Sequence, residues 1–177
     1  MLHKIVLAHD GSNHADKALE LAITLAKATG SELEIVNVVT DQSLTQDELT
    51  LAETEYGTAV HQGLTDLKLV PLGGAPWVGT TALLQTRPEL DSTVHRVLGE
   101  QIVHQAAATA RTKGVARVTT AVESGDPASA IVRRAQEAKA DLVVVGSRGL
   151  GAIKGLLLGS VSNKILSTAE CSVVAVK

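Results

Sequence analysis

Five short runs of apolar, largely β-branched residues punctuate the chain: Lys4 to Ala8 (KIVLA), Leu33 to Val39, Val115 to Glu123, Asp141 to Val145 (DLVVV) and Ser172 to Lys177. Each has the length of a strand, and most of the intervening chain carries apolar residues at intervals of three and four, the helical period. This alternation leaves few folds open. Parallel strands need a crossover, the crossover is right-handed, and helices must then cover both faces of the sheet. The pattern predicts an α/β protein with a doubly wound, five-stranded parallel sheet inside a three-layer α/β/α sandwich. A length of 177 residues suits one such domain. Hydrophobic residues make up 45% of the chain but aromatic ones only 1%, with no Phe, so the core is built from Val, Leu, Ile and Ala.

Helix boundaries are marked locally. Ser12 or Asn13 can cap the first helix, Asp16 sits in its positive first turn, and Gly30 stops it. Ala15, Ala18, Leu19, Ala22, Ile23 and Ala26 form its inward face. Further helices are expected at Ser92 to Lys113, from Asp126-Pro127 onward, and from Ser160 to about Thr168. Two segments resist this reading. Thr40 to Glu55 is polar, suggesting a loop with some helix and a solvated acidic face. Gly63 to Asp91 holds three of the four prolines, a Gly73-Gly74 pair and Trp77, and reads as an inserted loop or lid.

Several classes of function are disfavoured. A net charge of −3 and a pI near 6.1 provide no basic field for nucleic acid, and aromatic platforms for single strands are missing. No apolar run approaches the roughly 18 residues that cross a bilayer, and the first residues resemble a strand more than a leader, so a cytoplasmic protein is expected. Cys171 stands alone, without a disulfide partner or metal cluster, and reads as a small buried hydrophobe. His61, His95 and His104 are scattered and do not form a ligand set.

Chemistry concentrates in two loops. Ligands of open α/β sheets bind beyond the carboxyl ends of the strands, where the strand order reverses. His9-Asp10-Gly11-Ser12 follows the first strand, and the glycine-rich stretch Gly146 to Ser160 follows the fourth. Glycines let successive N–H groups face one point, and Gly159, Ser160, Val161 and Ser162 open a helix whose N-terminus favours phosphate. Ser160 and Ser162 can add hydroxyl donors, with Arg148 and Lys154 supplying positive charge. Asp10 can hold a ribose hydroxyl or a magnesium ion, or simply cap the helix. No glycine precedes a lysine, which excludes a Walker A loop. Gly149-x-Gly151 with Gly155 is a poor dinucleotide fingerprint, because Glu170 precedes the last strand instead of ending the second.

Gly146-x-x-Gly149, nine residues, then Gly159-Ser160 resembles the ATP-binding signature of universal stress proteins. The resemblance extends to Asp10-Gly11-Ser12, to Gly125-Asp126-Pro127 and to the ending Cys171 to Val176, leaving out roughly residues 41 to 92. It implies a Rossmann-like sheet of the adenine nucleotide alpha hydrolase-like kind, with strand order 3-2-1-4-5. It also implies ATP and Mg2+ as ligands. Ala8 and His9 would line the adenine pocket, Val38 would pack on the base, and Val145 and Gly146 would flank base and ribose. Asp10 would lie near ribose and metal. Arg148 and Gly149 would begin the phosphate loop, and Gly159, Ser160, Val161 and Ser162 would hold the phosphates. The family's habit of pairing last strands implies a homodimer through residues 172–177. The expected role is a nucleotide-dependent sensor read by a regulatory protein partner. A slow ATP hydrolase using His9 or Asp10, or a dimeric interaction module with an incidental nucleotide site, are the alternatives.

Overall fold

A computed structural model describes residues 2–67, 69, 80–150 and 158–177. The chain runs β1 (Lys4–Ala8), α1 (Asn13–Thr29), β2 (Glu32–Val39), α2 (Gln46–Thr54), α3 (Gly57–Asp66), α4 (Thr80–Thr86), a 3-10 turn (Pro88–Leu90), α5 (Asp91–Thr112), β3 (Val118–Ser124), α6 (Pro127–Glu137), β4 (Leu142–Gly146), α7 (Ser160–Thr168) and β5 (Ser172–Val176). The strands form one sheet in the order β3-β2-β1-β4-β5, and every pairing is parallel. Strand order therefore reverses between β1 and β4, and the loops leaving those two strands flank the crevice at the switch point.

Alternation along the strands divides the core in two. Ile5, Leu7, Leu33, Ile35, Leu142 and Val144 face α1 and the C-terminal half of α5, whose Ala18, Ala22, Ala106, Ala107 and Ala110 allow close approach. Val6, Val36, Val143 and Val145 face α6 and α7 and meet Ala128, Ile131, Ala135 and Ile165. Glu34 breaks this second apolar row. It is 1% exposed and neutralised by Lys4, 2.9 Å away, and by Arg134 of α6.

The chain between β2 and β3 departs from expectation. At about 1.5 Å per residue, the 22-residue α5 is some 33 Å long, much more than the sheet can cover. Gly99 is the point where it passes the end of β2: a Cβ there would lie 2.6 Å from Asn37 Oδ1. The overhanging residues Val94, Val97 and Leu98, with Ile102, form a separate core with Leu51 and Ala52 of α2, Val60 and Leu64 of α3, and Tyr56 between them. The polar stretch read as loop with some helix thus contains α2, started by a capping box in which Thr45 and Glu48 satisfy each other's backbone N–H groups. Glu48 also meets His95, which is 5% exposed, at 3.2 Å. His95 is a buried partner of α2, and Glu48 does not belong to a solvated face. Residues 63–91, read as a loop or lid, contain the end of α3, then α4 and the 3-10 turn, while Trp77 and the glycine pair lie outside the described residues. β3 begins at Val118, later than Val115, because Val115 is spent as a buried plug beside Ala110 before the chain reaches the sheet.

Candidate functional site

The loop after β1 is held by its own backbone. His9 N–H donates to Val36 O at 2.9 Å, and Asn37 Nδ2 donates to His9 O at 2.9 Å, so the turn stays fastened to β2. Gly11 turns the chain with φ 82, a conformation side chains rarely adopt. The Ser12 hydroxyl caps α1 by accepting from Ala15 N–H at 3.2 Å. Asp10 does not cap the helix. Its Oδ1 accepts from Ser12 N–H at 3.0 Å, the local turn that Asp side chains favour. The His9 ring is 4% exposed, and its Nδ1 accepts from Gly11 N–H at 3.2 Å. In the neutral ring the proton is then on Nε2, which lies 3.3 Å from Asp16 Oδ1 without hydrogen-bond alignment.

The loop after β4 leaves the sheet beside it. Gly146 is required by packing, since a Cβ there would lie 2.9 Å from the His14 carbonyl carbon and 3.0 Å from Ala15 N. Ser147 N–H bonds Val176 O at 2.6 Å, and Ser147 O receives the N–H of Gly159 at 2.7 Å where the loop returns. Ser162 is 3% exposed, and its hydroxyl reaches Gly146 O at 2.9 Å and Ser147 O at 3.1 Å. That hydroxyl seats α7 on the end of β4, so what Ser162 can offer a ligand is its backbone. Residues 151–157, including Lys154, lie outside the described residues.

The two loops meet. Ser12 Oγ donates to Arg148 O at 3.4 Å, Leu150 N–H donates to Asp10 Oδ2 at 3.2 Å, and a Cβ on Gly149 would lie 2.5 Å from that same oxygen. The helices between β2 and β3 touch this junction: a Cβ on Gly11 would lie 2.7 Å from Leu51 Cδ2, and Leu150 packs against the cluster of Leu51, Tyr56 and Ile102.

Ala8, Val38 and Val145 all belong to the apolar cluster on the α6 and α7 face, at the carboxyl ends of β1, β2 and β4. At its edge α7 begins with Gly159 in extended conformation, without a side-chain cap and without an acidic residue in the first turn. Ser160 and Val161 are exposed there. Beside it, Arg148 forms no ion pair among the described residues, its buried Nε has no hydrogen-bond partner, and neither does the buried hydroxyl of Ser147. Ser147 was not singled out from sequence; its place between paired glycines at the end of the most apolar strand was the available signal.

Asp10 could give a magnesium ion at most one carboxylate, the other ligands coming from phosphates and water, and both its oxygens already accept backbone N–H groups from opposite loops. Among the described residues no three His, Cys, Asp or Glu side chains come together as a metal site.

The model of the universal stress protein family matches residues 1–177, the whole chain. The chain belongs to the universal stress protein family. A universal stress protein of Bacillus subtilis, YxiE, is 31% identical over 177 residues, with both sequences covered completely. Among solved structures, a universal stress protein in complex with cAMP has a TM-score of 0.59 at 24% identity, covering 99% of this chain and 97% of its own. One from Archaeoglobus fulgidus in complex with dAMP has a TM-score of 0.54 at 17% identity, covering 100% of this chain and 98% of its own. These two establish the shared fold. Among the described residues, no helix of this universal stress protein is long and apolar enough to cross a membrane.

Proposed function

We propose that this universal stress protein binds an adenine nucleotide, ATP in the first instance, in the crevice between the β1–α1 and β4–α7 loops. Bound nucleotide sets the state of a cytoplasmic homodimer that a regulatory protein partner reads. The observation that carries this reading is the pairing of an α7 N-terminus without a side-chain cap with an arginine that has no ion-pair partner among the described residues. Free N–H groups and a helix dipole favour an anion, and Arg148 adds a charge that nothing else in the described structure neutralises. The apolar residues Ala8, Val38 and Val145 suit a base, and adenine is favoured over other bases by the two relatives solved with cAMP and dAMP. His9 and Asp10, the candidates for hydrolysis, are both engaged by the β1–α1 loop itself, so binding without turnover is the expected behaviour. Dimerisation through β5 is supported by the position of that strand at the sheet edge, where Val173 to Val176 stay only partly buried.

The test is calorimetric titration with ATP and magnesium, comparing the parent with a Gly159→Val/Ser160→Val double variant. At Gly159 φ is −74 and the nearest atoms to an added Cβ are 3.5 Å away, so the variant should fold while valine side chains crowd the phosphate position. Binding by the parent and a loss of at least about tenfold in the variant, some 1.4 kcal/mol, supports the reading. Equal binding by both proteins would place the nucleotide elsewhere, and no binding by the parent would end it.

A further inference from the structure

We propose that Asp10 is a positioning residue that pins the β4–α7 loop to the β1–α1 loop, and that it serves nucleotide binding through this pin and not as a ligand to a divalent cation. The second half rests on the nucleotide reading above; the first half stands without it.

The pin is visible in both oxygens. Oδ1 accepts from Ser12 N–H at 3.0 Å within its own loop, and Oδ2 accepts from Leu150 N–H at 3.2 Å across the crevice. Gly149 explains why the second contact fits, since any Cβ would stand 2.5 Å from Oδ2 and displace the carboxylate. The glycine at this position thus provides the seat for Asp10. Ser12 strengthens the same tie by sending its hydroxyl to Arg148 O while accepting from Ala15 N–H. From the other side the Leu150 side chain packs against the cluster that includes Leu51 of α2 and Ile102 of α5. Charge compensation for a phosphate is available from Arg148 and the α7 N-terminus.

Two measurements decide the matter. The first is amide hydrogen exchange of nucleotide-free protein, parent against Asp10→Asn. Asparagine keeps one acceptor for Ser12 N–H but cannot offer a second oxygen to Leu150. Hydrogen bonds to charged groups are among the stronger ones, so exchange at Leu150 should quicken at least about tenfold. Gly149→Ala attacks the same contact from the other loop and should reproduce the effect if Asp10→Asn folds poorly. Unchanged exchange at Leu150 in both variants overturns the pin, whatever the nucleotide does.

The second is titration of parent and Asp10→Asn with ATP, once with magnesium and once with EDTA. The variant should bind at least about tenfold more weakly than the parent in both conditions. Parent binding that collapses in EDTA, with the variant indistinguishable from it there, would make Asp10 a metal ligand and overturn the proposal. If the parent binds in neither condition, the nucleotide reading and the role of Asp10 in binding fall together, and the exchange result alone decides the pin.

Discussion

Replacing Gly146 by alanine should loosen the union of sheet and first helix. The added Cβ would sit 2.9 Å from the His14 carbonyl carbon, 3.0 Å from Ala15 N and 3.0 Å from His14 Cβ. Carbon atoms in contact prefer about 3.5–4.0 Å, so one side must retreat by roughly half an ångström. Neither side yields easily. Gly146 is registered against Val176 of β5, and His14 and Ala15 belong to the capped first turn of α1. Overpacking of this kind costs about 1–3 kcal/mol, offset by roughly 0.4–1 kcal/mol because alanine restricts the unfolded chain. A net loss of about 1–2 kcal/mol corresponds to roughly 2–8 °C in Tm for a domain of this size. Thermal unfolding followed by circular dichroism reads it directly. A Tm equal to or above the parent's would mean that α1 does not sit as close to β4 as described, and the packing argument for this glycine would be wrong.

Three further expectations concern the rest of the fold. Glu34→Gln keeps the shape but removes the charge that Lys4 and Arg134 share; both cations are partly exposed and keep Glu32 and Glu123 nearby, so the loss should be about 1.5 kcal/mol, and a loss below about 0.5 kcal/mol in urea unfolding would contradict it. Burial pushes the Glu48 carboxyl up, but hydrogen bonds from His95 and Thr45 outweigh it and hold it down at about 2 against an ordinary 4.5. A carboxyl depressed on folding stabilises fully above 4.5 and progressively less as pH falls toward 2, so the stability gap between parent and Glu48→Gln should narrow across that window; a gap that widens on acidification speaks against the pairing. Ser12→Ala removes the α1 cap and should lower stability by about 1 kcal/mol, while leaving Arg148 O without its hydroxyl donor; no change in Tm would show the cap to be dispensable.

The elements of the sheet were legible in sequence because each is a local decision. Apolar runs such as Asp141 to Val145 have no favourable place except a buried strand, and Ser12, Gly30, Asp126 and Pro127 mark helix ends through their own backbone chemistry. The glycine spacing in the fourth loop and Asp10 after the first strand were equally plain. What those residues do within the site was not. That Ser162 spends its hydroxyl on Gly146 O, that Gly146 is a packing glycine and that Gly149 makes room for a carboxylate 139 positions earlier are all consequences of two distant loops meeting at one sheet edge.

The helices between β2 and α5 were legible only as some helix within Thr40 to Glu55, for a related reason. Helices of nine and ten residues such as α2 and α3 are marginal alone, and their few apolar positions acquire meaning only against the overhanging end of α5. Local chemistry in the sequence settled where strands, caps and glycines fall and which family they spell out. The tertiary structure decided which atoms remain unpaired at the switch point. Hydrogen-bond partners and close contacts depend on distances between segments far apart in the chain, which no local pattern records.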